Sequence, residues 1–282
     1  LRKHKLIRAR KSLGQNFLTD HGVAGRIIDA VTPSRTDAII EIGPGKGALT
    51  AMLLKGSGYV VAIEIDSRLA EELRRTTNAE NLTIVTGDAS SVNWDEIIDD
   101  LKSQRFTGSG VLTRVRIVAN LPYYISTPII EKLFTVKRPI FDMTLMLQKE
   151  VANRISAGPG GKEYGYLSVL VQYYCVATTL FEVPPSAFTP EPKVDSAVIR
   201  LRVRENPAVK VSDERRFFAL VRACFAQRRK TILNNLKVAA ASQAFANDVR
   251  SALEAASVVA QRRAETLSLA EFAGLFEALY VA

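Results

Sequence analysis

Cysteine and histidine are nearly absent from this 282-residue chain. The two cysteines, Cys175 and Cys224, lie far apart and make no metal-ligand spacing, so a secreted disulfide framework is not expected and a reducing compartment fits. Two histidines, His4 and His21, leave almost no material for a His-based triad or a zinc site, and no metal is expected. Also missing are an apolar run of membrane-spanning length, a signal peptide, an internal repeat and a low-complexity tract. These absences point to a cytoplasmic protein with no membrane partner.

Acidic residues are the minority charge, 29 against 38 Lys and Arg, for a net charge of +9 and a pI near 9.6. The excess fits an anionic partner such as nucleic acid, although charge alone does not separate that reading from a solubilising surface. Hydrophobic residues at 47% and charged residues at 24% are an ordinary globular composition. The length suffices for one substantial core and a smaller second unit.

The first eleven residues are mostly basic (Arg2, Lys3, Lys5, Arg8, Arg10, Lys11), a pattern more often found in a solvated tail than in a binding arm. From Ala38 onward, strand-length apolar runs alternate with helical stretches. The runs are Ala38–Ile42, Tyr59–Ile65, Leu82–Val85, Arg116–Ala119 and Met143–Leu147, mostly apolar as buried parallel strands are. Ala48–Leu54 and Leu69–Arg75 supply helices between them. Tyr173–Val183 and Val194–Val203, separated by a proline-rich segment, read as an antiparallel pair completing the sheet. After Glu205-Asn206-Pro207 the pattern is helical only: Ser212-Asp213-Glu214 offers a cap, and Ser268-x-x-Glu271 a capping box. The expected organisation is an α/β domain over 1–206, with a basic arm at 1–11, and a helical domain over 207–282.

Asn120-Leu121-Pro122-Tyr123 ends the fourth apolar run and is the most informative stretch. The Asn120 amide oxygen and the Leu121 carbonyl can each accept one hydrogen from an adenine N6 amine, while Tyr123 stacks on the ring. Pro122 locks its own φ and narrows where the Leu121 carbonyl points. Such a device suits chemistry on a base taken out of its stack. Gly43-Pro44-Gly45-Lys46-Gly47 follows the first strand and precedes a helix, where glycines allow a tight turn and close approach of a ligand to backbone. A dinucleotide fold wants G-x-G-x-x-G, and here the third glycine comes one residue early. The spacing favours a cofactor without a pyrophosphate, such as S-adenosylmethionine. Glu64 ends the second strand about 20 residues past the loop, where an acid accepts ribose hydroxyls. Asp88 follows the third strand, placed for the adenine amine of the cofactor. Either acid alone reads as a solvated carboxylate. With Gly43 and Asn120, however, they mark the C-terminal ends of four successive strands, the edge where open α/β sheets bind ligands.

On these residues the chain resembles the ribosomal RNA small-subunit adenine dimethyltransferases. Lys11–Leu18 resembles that family's N-terminal motif, Glu41–Thr50 its glycine loop and Asn120–Ser126 its catalytic motif. Met146–Val151, Tyr164–Val169, Val183–Pro190 and Gln227–Thr231 match further blocks, so the resemblance spans nearly the whole chain. A longer Lys102–Arg114 connection, read as a surface insertion, is the main departure. The implied fold is a Rossmann-like class I S-adenosylmethionine methyltransferase sheet followed by a small all-helical C-terminal domain. Asn16 and Leu18 are implied in the cofactor pocket, and Phe188 as the second ring clamping the base. The implied substrate is two adjacent adenines in the 3′-terminal hairpin of small-subunit (16S) rRNA, on an immature 30S particle, with the enzyme a monomer. Arg228, Arg229 and Lys230 read as rRNA phosphate contacts, joined by Arg222 on the same expected helix; outside the family such a run is an exposed helix face.

Three other readings remain. A large-subunit (23S) rRNA adenine N6-methyltransferase of the macrolide-resistance type shares the cofactor loop and the Asn-x-Pro-Tyr device. The Tyr164–Val169 and Gln227–Thr231 blocks and the C-terminal helices favour the small-subunit group. A non-catalytic nucleic-acid-binding factor, like the mitochondrial transcription factors that resemble this family, could keep the fold and lose the tetrad, which is retained here. A nicotinamide oxidoreductase fails on the glycine spacing.

Overall fold

In the computed structural model, residues 7–102, 112–122, 125–136, 138–240 and 245–280 are described. The elements run β1 (Phe17–Leu18), α1 (His21–Val31), β2 (Asp37–Ile42), α2 (Thr50–Gly56), β3 (Tyr59–Glu64), α3 (Ser67–Thr76), β4 (Leu82–Thr86), α4 (Trp94–Lys102), β5 (Arg114–Asn120), α5 (Ser126–Leu133), β6 (Asp142–Gln148), α6 (Lys149–Ser156) and α7 (Tyr166–Tyr174). β7 (Cys175–Val183), β8 (Phe188–Thr189), β9 (Ser196–Val203), α8 (Glu214–Phe225), α9 (Ile232–Ala240), α10 (Val249–Ala255) and α11 (Leu269–Tyr280) follow. Among the described residues no helix is long and apolar enough to cross a membrane.

The chain divides into two compact units. Residues 7–152 with Thr178–Val203 carry the sheet; Asn153–Ala177 with 204–280 form a helical unit. Seven strands pair in the order β4-β3-β2-β5-β6-β9-β7, with β4 through β6 parallel and β9 antiparallel to β6. β2 and β3 are buried at every position, which is why they read as unbroken apolar runs. β1 and β8 form a separate two-stranded ladder, Phe17 opposite Thr189 and Leu18 opposite Phe188. At the N-terminal edge of the large sheet, buried Arg116 holds Asp142 in a two-pronged pair (2.7 and 2.8 Å) and reaches Asp37 at 3.2 Å. This joins β2, β5 and β6 below the site.

In the helical unit Tyr164, Val169 and Tyr173 pack with Phe217, Leu220, Phe272 and Phe276 in one buried cluster. The sequence reading ended its first domain near 206 and left 153–177 in it. In the structure that segment belongs with the helices, because α7 is apolar almost all round and buries Leu167, Val169, Leu170, Val171 and Tyr173. Tyr173 and Tyr174 accordingly close a helix, and the strand begins at Cys175. The anticipated caps form: Asp213 accepts the Arg216 N–H at 3.0 Å, and Ser268 and Glu271 exchange reciprocal bonds at 2.7 and 3.2 Å. The expected arm (residues 1–6) and the Lys102–Arg114 insertion (residues 103–111) fall largely outside the described residues.

Candidate active site

Strand order reverses between β2 and β5: the chain continues to β3 on one side and from β5 to β6 on the other. Ligands of open α/β sheets bind at such a switch point, outside the carboxyl ends of the strands. A cavity open to solvent lies there, the concave, largely apolar kind of site in which small-molecule ligands bind. It is lined by Asn16, Leu18, Gly43, Gly45, Glu64, Asp88, Asn120, Leu121, Pro122 and Phe188. Every described residue assigned from the sequence to cofactor or base thus meets in one place. Tyr123 lies outside the described residues.

The loop after β2 turns sharply because Gly43, Gly45 and Gly47 take φ of 68°, 58° and 80°, a region L side chains rarely adopt. At Gly45 a Cβ would also stand 3.1 Å from the Phe17 ring. The bare backbone lets the Gly45 N–H donate to the Glu64 carboxylate at 3.0 Å, and the Asp66 N–H donates to its other oxygen at 2.9 Å. Burial pushes the Glu64 pKa above the ordinary carboxylate range, while these two backbone bonds oppose the shift. Asp88, after β4, accepts the Ser90 N–H at 2.8 Å. A glycine-lined backbone beside two carboxylates at strand ends fits S-adenosylmethionine, the carboxylates being acceptors of the kind that ribose hydroxyls and an adenine amine need.

Asn120 is the last residue of β5, one strand over. Its Nδ2 donates to the Asn16 main-chain oxygen at 3.3 Å, which commits the donor end of the amide and leaves Oδ1 as the end able to accept from a ligand. Leu121 is pinned by its N–H to Met146 O at 3.1 Å, and Pro122 O accepts the Ile125 N–H at 3.2 Å, closing the turn into α5. Phe188 is only 2% exposed: it packs with Leu18, Val118 and Met146 while lining the cavity, so core and pocket wall share one ring.

Glu41 was not assigned a role from the sequence, yet it lines the cavity. It is fully enclosed and accepts the Thr50 Oγ1–H at 2.6 Å. Burial pushes its pKa up to about 7; the Thr50 bond opposes this and the Glu64 charge adds to it. The signal was available, an acid inside the otherwise apolar run Ala38–Ile42.

Arg222, Arg228, Arg229 and Lys230 lie in the helical unit. Arg222 is on α8, its guanidinium 4.5 Å from the Tyr166 ring centroid. The other three were expected on the same helix and are not: α8 ends at Phe225 and they occupy the exposed turn before α9. The helix stops there because Asn235 Nδ2 caps it, donating to Cys224 O at 2.7 Å and Gln227 O at 3.2 Å. Arg228 spends its guanidinium on the Lys162 and Tyr164 carbonyls and on Glu265, the last at 3.1 Å. It braces the turn, whereas Arg229 and Lys230 are exposed.

Comparison with known proteins agrees with this geometry. A family model described as "Ribosomal RNA adenine dimethylase" matches residues 6–275. The chain is 48% identical over 273 residues to the ribosomal RNA small subunit methyltransferase A of Anoxybacillus flavithermus, covering 96% of this chain and 90% of the relative. It is 45% identical over 272 residues to the protein of the same name from Moorella thermoacetica, covering 96% and 92%. Among solved structures, a dimethyladenosine transferase from Plasmodium falciparum is similar with a TM-score of 0.73 at 29% identity, over 92% of this chain and 95% of that one. The 23S rRNA methyltransferase ErmE gives 0.66 at 25% identity, over 94% and 99%. The chain belongs to the ribosomal RNA adenine dimethylase family.

Proposed function

We propose that the chain is an S-adenosylmethionine-dependent methyltransferase that converts adenines of small-subunit rRNA to N6,N6-dimethyladenosine. One structural observation carries the reading: Asn120 and Leu121 stand at the end of β5 in the same cavity as Gly43, Glu64 and Asp88. The small-subunit assignment over the large-subunit one rests on identity, 48% to the named small-subunit enzyme against 25% to ErmE.

Gly43, Gly45, Glu64, Asp88, Asn16 and Leu18 would hold S-adenosylmethionine, which supplies an electrophilic methyl group. The chain's own residues then deal with a poor nucleophile, because the adenine N6 lone pair is delocalised into the ring. Asn120 Oδ1 and the Leu121 carbonyl accept the two N6 hydrogens, favouring a more tetrahedral nitrogen and fixing its direction of approach. Tyr123 and Phe188 clamp the flipped ring, with stacking worth ~1–3 kcal/mol per base. The proton leaves a newly cationic amine, acidic enough to give it to water. Arg229 and Lys230 contact rRNA phosphates, with Arg222 beside them, and Arg228 holds their turn in shape. The finer reading is two adjacent adenines in the 3′-terminal hairpin of 16S rRNA, modified on an immature 30S particle in the cytoplasm by a monomer.

Asn120→Ala tests the assignment. It is expected to cut methyl transfer at least 10²-fold, the scale of losing one preorganised polar contact to the reacting group, with calorimetric cofactor affinity changed only a few-fold. Retained turnover would remove Asn120 from the catalytic role.

A further inference from the structure

One wall of the cavity is built by the N-terminal segment Leu13–Leu18, which has little secondary structure of its own and lays Phe17 against the glycine loop. A short 3-10 turn, Lys11–Leu13, ends at Gly14 with φ 56°, and the chain then runs extended into β1. Gln15 spans a gap there. Its Oε1 accepts the Arg10 N–H at 2.8 Å, and its Nε2 donates to Asp66 Oδ2 at 3.2 Å. Asp66 is fully buried and well held: Arg68 grips it through Nε and Nη2 at 2.9 and 2.5 Å, and the Asp66 N–H donates to Glu64. The Gln15 amide therefore hydrogen-bonds the N-terminal segment to the loop that carries the ribose-binding acid, beside a longer ion pair from Arg10 to the same carboxylate at 3.8 Å. The next residue, Asn16, orients the Asn120 amide through its carbonyl.

We infer that Gln15 is a positioning residue: its amide latches the N-terminal wall onto Asp66 and so sets cofactor affinity without touching the reacting atoms. This rests on the reading of the cavity as an S-adenosylmethionine pocket. The Arg68 pair holds the Asp66 carboxyl down at about 2, so the acceptor stays anionic at working pH. The latch is directional, needing a donor on residue 15 and an acceptor on residue 66. Removing the amide leaves the segment tied by the Asn16–Asn120 bond, the β1–β8 ladder and the half-exposed Arg10–Asp66 pair at 3.8 Å, so the fold survives while the wall loosens.

The test uses S-adenosylhomocysteine as calorimetric probe, with hydrogen exchange of residues 13–18 in the ligand-free protein as a second readout. Gln15→Ala is expected to weaken binding about tenfold, the scale of one hydrogen bond to a charged group. Exchange should quicken in that segment while the rest of the sheet is unchanged. Methyl transfer should show a raised KM for S-adenosylmethionine with kcat at saturation within about threefold, since bound cofactor restores the wall. Gln15→Glu sets two carboxylates face to face and is expected to bind more weakly still. Adding Asp66→Asn, which caps α3 equally well, inverts donor and acceptor and should recover part of that loss. An unchanged affinity in Gln15→Ala, or no recovery in the double variant, overturns the latch. Wild-type protein that binds no S-adenosylhomocysteine overturns the reading of the pocket, and the latch with it.

Discussion

Replacing Glu41 with glutamine is expected to change how the protein's stability depends on pH. In the folded chain this carboxyl titrates near 7, against an ordinary 4.5, because burial penalises its charged form. A raised folded-state pKa means that the folded state binds the proton more tightly. The contribution is fully present below about 4.5 and is lost as pH rises through about 7. The difference amounts to on the order of 3 kcal/mol across that window. Glutamine keeps the shape and can still accept the Thr50 hydroxyl hydrogen, but it has no proton to lose. Its NH₂ group adds a buried donor, a penalty of about 1–3 kcal/mol that does not vary with pH. The slope is therefore diagnostic, not the level. Glu64, also raised by burial, contributes with the same sign and leaves some dependence in the variant; Asp66 and Glu271, both held near 2 by arginines, contribute with the opposite sign and only below about 4.5, outside the window. Urea unfolding followed by fluorescence of Trp94, the single tryptophan, buried in the sheet unit, reads the right part of the molecule. Between pH 5 and 8 (limits set by the two pKa values, ~4.5 and ~7) the wild type should lose stability steadily and Glu41→Gln much less. Parallel curves would refute the argument that burial of Glu41 controls this dependence.

Other consequences are as open to measurement. Arg116→Ala strands Asp142 in the sheet without its buried partner, while Asp37 keeps Arg114 at 2.9 Å, and unfolding of the sheet unit should become easier by about 3–5 kcal/mol; a loss under ~1 kcal/mol, the range of an exposed pair, would show that solvent reaches the Asp142 carboxylate. Charge reversal at Arg229 and Lys230 should weaken binding to small subunits and flatten the slope of log K against log salt by about 1–2. Arg228→Ala should instead loosen the turn and cost the helical unit up to about 1 kcal/mol, since the guanidinium and its partners are partly exposed. If both substitutions act alike on RNA binding, the division of labour in that turn is wrong.

The parallel strands were legible because each is a short, mostly apolar run ending at a turn or an acid, and those ends meet at one cavity, lined by Gly43, Glu64, Asp88 and Asn120. Caps were equally legible, since Asp213 and the Ser268–Glu271 box are local chemistry. What stayed hidden depended on partners distant in sequence. α7 is rich in Tyr, Val and Leu, a composition that suits strand as well as helix, and only packing against Phe217 and Phe276 decides it. Arg228–Lys230 continue a helical pattern that Asn235 interrupts from the next helix. Gln15 looks like one more polar residue of a basic arm, because its acceptor, Asp66, lies 51 residues away. Glu41 shows in the sequence only as an acid next to the glycine loop, and its enclosure depends on the fold around it.

The central claim is that Asn120 and Leu121 hold adenine N6 of small-subunit rRNA for methyl transfer from S-adenosylmethionine. The measurement that tests it most directly is transfer from methyl-labelled S-adenosylmethionine to unmethylated small subunits and, separately, to large-subunit rRNA, with nucleoside mass spectrometry of the product. N6,N6-dimethyladenosine on the small subunit alone, abolished by Asn120→Ala, is the predicted result. Label on large-subunit rRNA, or intact RNA binding with transfer to neither, would contradict it.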